Sequence, residues 1–314
     1  MASLPAETDE TAVGLPISVC VPAMRADTIP ATIQAIRAQT WTDWELIVLG
    51  QGARSGLEAA VARGAGGDGR VRYLHLDRAG LSHARNAALS AASGSVIAFT
   101  DDDCEPRQDW LATIARGFLT DPRLGLLGGA VLSPMARGRL TTCPTVSPSE
   151  TLYDPMTDVE RPPRWDWMGA NFAVRREVAS SLGMFDECLG AGADFPAAED
   201  TDYKFRLEAA GVRMLATPRS AVVHTYGVRR GWAMFRSQRN YATGNGGMAG
   251  KLTLLGDRRG AQWLEDTRAA CLHAGQLAPH SLARGVRRLH YFSSAYRRCL
   301  RDYTVDAEGL LRRR

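Results

Sequence analysis

Lysine is almost absent from this chain. Of 38 basic residues only Lys204 and Lys251 are lysine, and the rest are arginine. Arginine suits bidentate phosphate contacts, but a bias spread over the whole chain locates no site. None of the six cysteines forms a CxxC pair, which argues against a zinc knuckle. No stretch approaches the roughly 20 apolar residues of a membrane span. The first 14 residues are acidic and lack the apolar core of a secretion signal. A reducing cytoplasm with free thiols is therefore the expected setting, with peripheral membrane contact left open. A strong charge excess is missing too: 38 basic against 34 acidic residues gives +4, too little to imply nucleic acid as a partner. Nor does a Gly-rich phosphate loop follow the first strand.

What is present is a globular composition of 45% hydrophobic and 23% charged residues over 314 positions. Residues 1–15 read as a disordered lead. Apolar runs at 17–21, 44–49, 71–76 and 96–99 suit strands buried on both faces. Helical stretches at 29–40, 54–64, 81–92 and 108–119 alternate with them. That alternation predicts βαβ units and a parallel sheet, whose ligands bind beyond the carboxyl ends of the strands. Four loops meet at that rim: 22–25, 50–53, 77–80 and the acidic turn after residue 99.

Downstream, 124–132 reads as a strand, and the proline-rich 133–166 as mostly loop. Residues 167–174 read as a strand, followed by a helix from about 176. A charged helix over 199–211 closes on Gly211. Two short strands are expected at 212–216 and 221–225. From about 228 the pattern turns helical and arginine-rich, which sets the expected boundary between a domain over 16–227 and a helical extension over 228–314. In that extension, aromatic and basic residues mix around Trp232 to Tyr241 and Arg284 to Arg288. They read either as solvated helix faces, or as a lid or a contact for an anionic surface such as a membrane holding a lipid-linked acceptor.

Three features carry chemistry. Asp101, Asp102 and Asp103 are adjacent carboxylates that repel one another unless a cation joins them, and Mg²⁺ or Mn²⁺ held with substrate phosphates is one solution. The competing reading is a solvated turn capping the next helix. Glu199-Asp200-Thr201-Asp202 opens a helix, where acids are favoured by the dipole and where one carboxylate can act as a general base. His224 ends a short apolar strand, as a structural residue or as part of a metal shell.

Taken with Ile17 to Pro22, Ala38-Gln39-Thr40, Gly80 to Leu89, Gly169-Ala170-Asn171 and Gly183 to Glu187, these segments resemble glycosyltransferase family 2 over roughly residues 16–227. The resemblance implies a GT-A fold, an α/β arrangement with a Rossmann-like, mainly parallel central sheet flanked by helices. It implies inverting transfer from a nucleotide-sugar donor, a UDP-sugar first, with GDP- and dTDP-sugars as alternatives. The acceptor would be a glycan, a lipid-linked molecule or a small molecule, and the cofactor Mn²⁺ or Mg²⁺. By position, Asp101 and Asp103 match the DxD pattern, Asp103 and His224 the metal ligands, and Asp200 the catalytic base. Pro22, Gln51, Asp77, Arg85, Asp101 and Asp102 are expected on the donor side, and Trp167, Asn171 and Glu199 on the acceptor side. One departure stands out: Gly50 and Gln51 occupy the loop where the family carries an acid that reads uracil. Gln51 is expected to accept a base N–H through its carbonyl oxygen, and the small Gly50 to leave room for a larger base. The rival functions are a degenerate homologue that binds nucleotide or glycan without turnover, and a nucleotidyltransferase.

Overall fold

The computed structural model describes residues 14–134, 141–163, 165–277 and 279–314. The expected disordered lead thus lies, up to residue 13, outside the described residues, as do 135–140 of the proline-rich loop.

The first half follows the hydrophobic pattern closely. Strands β1 (Ile17–Ala23), β2 (Trp44–Gln51), β3 (Val71–Leu76) and β4 (Val96–Thr100) alternate with helices α1 (Ile29–Arg37), α2 (Arg54–Ala65) and α3 (Leu81–Ala91). All four strands run parallel, with β1 between β2 and β4 and β3 outside β2. Successive side chains leave opposite faces of a strand. Val19, Val21, Leu46 and Val48 therefore enter one core with Ile33 and Ile36 of α1. Cys20, Ile47 and Leu49 enter the other with Ala84 and Ala88 of α3. Both faces are covered, which is why these strands read as unbroken apolar runs.

The chain continues through β5 (Glu105–Pro106), α4 (Trp110–Thr120), β6 (Leu124–Leu132), β7 (Thr141–Thr142), β8 (Thr151–Tyr153) and β9 (Asn171–Arg175). Helices α5 (Arg176–Leu182) and α6 (Glu199–Ala209) and strand β10 (Arg213–Val223) complete this half. The sheet order is β3-β2-β1-β4-β9-β6-β10-β5, with β8 beside β10. β9 is antiparallel to both its neighbours, and β6 runs parallel to β10. The sheet is α/β and mainly parallel.

Two expectations needed correction. The two short strands expected at 212–216 and 221–225 are one strand, because the register with β6 jumps from Thr217 to Ala221 and Pro218 to Ser220 bulge out. Proline has no N–H for the ladder and is tolerated at such a bulge. β9 starts at Asn171 rather than 167, because Met168 to Ala170 form a turn closed by the Asn171 N–H on the Met168 carbonyl. That turn crosses the sheet rim.

The remainder comprises β11 (Arg229–Arg230), α7 (Gly231–Leu254), α8 (Arg258–Leu277), α9 (Pro279–Asp302) and a terminal hairpin of β12 (Tyr303–Val305) and β13 (Leu311–Arg313). β11 pairs with β7. These helices dock through a fully buried charge cluster. Lys251 Nζ on α7 lies 2.8 Å from Asp186 and 2.5 Å from Asp202 on α6. Asp186 also accepts the Leu311 N–H of the hairpin at 2.8 Å. The rare lysines are thus both buried in ion pairs, Lys204 joining Asp166 near the sheet rim.

Candidate active site

The carboxyl end of β4, the end of β10 and the N-terminus of α6 open onto one cleft of about 290 Å³. Pro22, Gln51, Arg85, Asp101, Asp102 and Asp103 line it from the first half, with Glu199, Asp200 and His224 from the second.

The three aspartates divide the work. Asp102 is turned into the protein. Its Oδ2 accepts the N–H groups of Met24 and Arg25 at 2.7 and 2.9 Å, and Arg25 Nη1 donates to its Oδ1 at 2.7 Å. It ties the loop after β1 to the end of β4. Burial outweighs these donors and pushes its carboxyl up to about 6. Asp103 faces His224, with Oδ1 3.1 Å from Nε2. Its Oδ2 lies 2.6 Å from Arg25 Nη1 and 3.6 Å from Arg229 Nη2, yet is buried without an aligned hydrogen bond. Burial raises its carboxyl, but His224, Arg25 and Arg229 together hold it below the usual carboxylate range. Asp101 lies beside the Arg85 charge. Burial, reinforced by the Asp103 carboxylate, raises its carboxyl against the pull of that arginine.

His224 Nδ1 sits 3.2 Å from the Pro144 carbonyl, so a proton held there leaves Nε2 free toward Asp103. Ligand atoms of Asp103, Cys104 and His224 lie within 4.8 Å of one another. Burial and the neighbouring Asp101 and Asp103 charges drive the Cys104 thiol well up, so it stays protonated. The donors that remain are a carboxylate and an imidazole, with a buried carboxylate oxygen lacking an aligned partner. That set fits a divalent cation of the Mg²⁺ or Mn²⁺ kind.

Asp200 lies across the cleft in the first turn of α6. Its Oδ2 accepts the Gly169 N–H at 2.8 Å, and its Oδ1 the Thr201 N–H at 2.7 Å. The residue before this helix, Ala198, has φ +73°, the one positive φ at a non-glycine among the described residues. Such strain persists where surrounding contacts impose it. Here Arg85, 1% exposed, does so: Nη1 donates to Glu199 at 2.8 Å and Nη2 to the Gly169 carbonyl at 2.9 Å. One guanidinium therefore fixes both the α6 terminus and the Met168–Ala170 turn that holds Asp200. Burial and the Asp200 charge raise the Glu199 carboxyl despite Arg85.

Some sequence expectations are corrected. Asn171 does not face the cleft: its amide donates to the Ala130 and Ser220 carbonyls and accepts from Trp110 Nε1, clamping the β10 bulge. A side chain on Gly129 would strike that clamp, 2.3 Å from the Asn171 amide nitrogen. Trp167 is also in the core, its ring 4.9 Å from Phe172. Asp77 is exposed on the loop after β3, outside the cleft lining. Gln51 lines the cleft, but its carbonyl oxygen is taken by the Gly80 N–H at 2.6 Å, so its amide N–H donors are what it offers. The space that Gly50 leaves is filled by the Tyr73 ring, which an added Cβ would meet at 2.3 Å, and Gly50 is not part of the cleft lining.

The sequence reading offered the stretch from Trp232 to Tyr241 as a lid alternative but did not single out Ser237 or separate the two faces of the helix. Ser237 and Tyr241, four residues apart on α7, line the cleft with Arg229. The buried hydroxyl end of Tyr241, at the cleft wall, is raised by its burial and by the charges of Asp200, Glu199 and Asp101. No local motif marks these residues.

Residues 18–183 match the family described as Glycosyl transferase family 2. A Haloferax volcanii protein named glucosyl-dolichyl phosphate glucuronosyltransferase is 23% identical over 237 residues, covering 70% of this chain and 73% of that protein. The glycosyltransferase AglE of the same organism is 28% identical over 57% of this chain and 58% of its own length. Among solved structures, the mannosyltransferase PcManGT of Pyrobaculum calidifontis, in complex with GDP-Man and Mn²⁺, superposes with a TM-score of 0.59 at 19% identity. That match covers 91% of this chain and 87% of PcManGT. The S. aureus TarS fragment 1–349 gives 0.55 at 13% identity, over 95% and 96% of the two chains.

Proposed function

The chain belongs to glycosyltransferase family 2, and from that premise we propose that it moves a sugar from a nucleoside-diphosphate sugar to an acceptor hydroxyl with inversion at the anomeric carbon. The observation that carries the reading is a single cleft holding Asp103 and His224 on one side and Asp200 on the other. Inverting displacement needs those two functions on opposite faces of the sugar.

Asp200 takes the proton of the incoming hydroxyl as general base, a role worth roughly 10²–10⁴-fold in rate. Two N–H donors and the Arg85 brace hold its carboxylate in place before substrate arrives, so little reorientation is needed. Asp103 and His224 would hold the cation. With a divalent ion bound, the site they form would supply positive charge to offset the negative charge developing on the diphosphate leaving group. The occurrence of Mn²⁺ and GDP-Man in PcManGT supports this assignment. Asp101 is assigned to the donor ribose. Gln51, with its N–H groups free, reads a carbonyl of the base. The dolichyl phosphate in the name of the Haloferax relative supports a lipid-linked acceptor.

The test is a thermal-shift panel of UDP-, GDP- and dTDP-sugars with Mn²⁺ or Mg²⁺, followed by detection of released nucleoside diphosphate. A cognate donor at 100 times its Kd stabilises the native state by about 2.7 kcal/mol. The reading expects one donor class to raise the melting temperature only when metal is present. Stabilisation that is unaffected by chelation would overturn the metal assignment.

A further inference from the structure

Helix α7 has two faces of different character. Ser237 and Tyr241 look into the cleft. On the opposite side, Trp232, Phe235, Arg236 and Arg239 recur at i, i+3, i+4 and i+7, the spacing of one helical stripe. Trp232 is 86% exposed and stacks edge-on to Phe235, their ring centroids 5.9 Å apart. α9 extends this surface, with the Arg287 guanidinium 4.9 Å over the Phe235 ring. Arg284 and Arg288 lie within one turn of Arg287 on α9, and both are exposed.

The charge of this surface is of one sign. No Asp or Glu occurs between residues 209 and 256, nor between 267 and 301. Ion pairs hold many of the arginines elsewhere, from Arg25 and Arg85 to Arg213 and Arg259. Among the described residues, none of Arg236, Arg239, Arg284, Arg287 and Arg288 has an acidic partner. An exposed indole and its neighbouring phenyl ring set among uncompensated guanidinium groups match a bilayer interface. There, aromatic rings sit at headgroup level and each basic residue gains from anionic lipid. A duplex nucleic acid would use the arginines but leaves the exposed Trp232 indole without a role, and a single strand, which would stack on that indole, is one of the outcomes of the test.

We infer that this α7–α9 face docks on an anionic lipid bilayer. The inference rests on the glycosyl-transfer reading for its purpose. Because α7 is shared, docking brings the cleft to within about one helix diameter, roughly 10–12 Å, of the headgroups. An acceptor whose reactive hydroxyl stands at the headgroup then reaches Asp200 without leaving the membrane.

The test is co-sedimentation of the full chain with vesicles of phosphatidylcholine alone and of phosphatidylcholine with 30% phosphatidylglycerol. Binding is expected only to the anionic vesicles, falling as salt is raised. Arg236→Ser/Arg239→Ser is expected to weaken partitioning by roughly 5-fold per arginine, and Trp232→Ser to weaken it at all salt concentrations. Both variants change exposed side chains, and unchanged melting temperatures establish that they fold. Equal binding to neutral vesicles, no binding to either, or wild-type partitioning of the folded variants overturns the inference. So does tighter binding to a single-stranded oligonucleotide than to anionic vesicles. Vesicle binding needs no donor, so its failure leaves the transfer reading standing. A chain that binds vesicles but turns over no nucleotide sugar fails only that reading.

Discussion

Replacing Lys251 with Met tests how the helical extension is attached. The lysine ammonium is fully buried between Asp186 and Asp202. The two carboxylates are not equally dependent on it. Asp202 keeps Arg206, whose Nε donates at 3.0 Å. Asp186 keeps only the N–H groups of Leu311 and Cys188, at 2.8 and 3.0 Å. Methionine has similar volume, so the loss is electrostatic, and stripping one partner from a buried pair costs about 3–5 kcal/mol. At about 2 °C per kcal/mol for a chain of this size, the midpoint should fall by roughly 6–10 °C. Since the uncompensated charge sits mainly on Asp186, adding Asp186→Asn to Lys251→Met should recover about half of that loss. Calorimetry of the two variants and the wild type gives both numbers. A Lys251→Met midpoint within 1 °C of wild type, or no recovery in the double variant, would refute the reasoning.

Three further outcomes follow. Burial would raise the Glu45 carboxyl, but the Ser18 and Ser93 hydroxyls, the Ser93 N–H and Arg72 bring it down to about 2 from 4.5. Its contribution is therefore complete above pH 4.5 and lost as pH falls toward 2. After allowance for solvent screening it is worth about 1–2 kcal/mol, and Glu45→Gln should flatten the acid limb of a pH-dependent urea titration by that amount. Gly244 packs so closely that an added Cβ would lie 2.7 Å from Ala197 Cα. Gly244→Ala should cost about 1–3 kcal/mol by overpacking and, by pushing on the approach to Asp200, lower kcat as well; wild-type kcat with a lowered midpoint would contradict the second part. Burial disfavours the charged His224 ring, yet Asp103 and Asp101 raise it above 6.5. A cation must displace that proton, so Mn²⁺ affinity measured by calorimetry should fall up to about tenfold per pH unit below the raised value, where a flat profile would contradict ligation by His224.

The parallel half of the sheet was legible because its strands are buried on both faces, which leaves an apolar run bounded by rim loops. The acidic turn was legible for the same reason: it directly follows Phe99 and Thr100, so its place at the rim needed no tertiary information. Asn171 was misread because a buried amide looks in sequence like an exposed one. Its partners, Trp110 and the Ala130 and Ser220 carbonyls, lie 41 to 61 residues away. The bulge that joins the two halves of β10 was hidden by Pro218, which in sequence argues for a break. Of the α7 wall, the aromatic and basic stretch to Tyr241 was legible as a lid alternative, but its close seat was not, because that depends on glycines such as Gly244, whose purpose appears only once Ala197 stands opposite. Arg85 was expected on the donor side, and its bracing of Glu199 and Gly169 emerges only from the fold.

The central claim is that Asp200 is the general base opposite a cation held by Asp103 and His224. Its most direct test compares wild type with Asp200→Asn for both donor dissociation constant and rate of nucleoside diphosphate release, using the donor found by thermal shift with Mn²⁺. Asparagine keeps the size of the side chain and an oxygen for the Gly169 N–H, so donor affinity should stay within about twofold while turnover falls roughly 10²–10⁴-fold. Turnover within threefold of wild type, with donor affinity intact, would contradict the account.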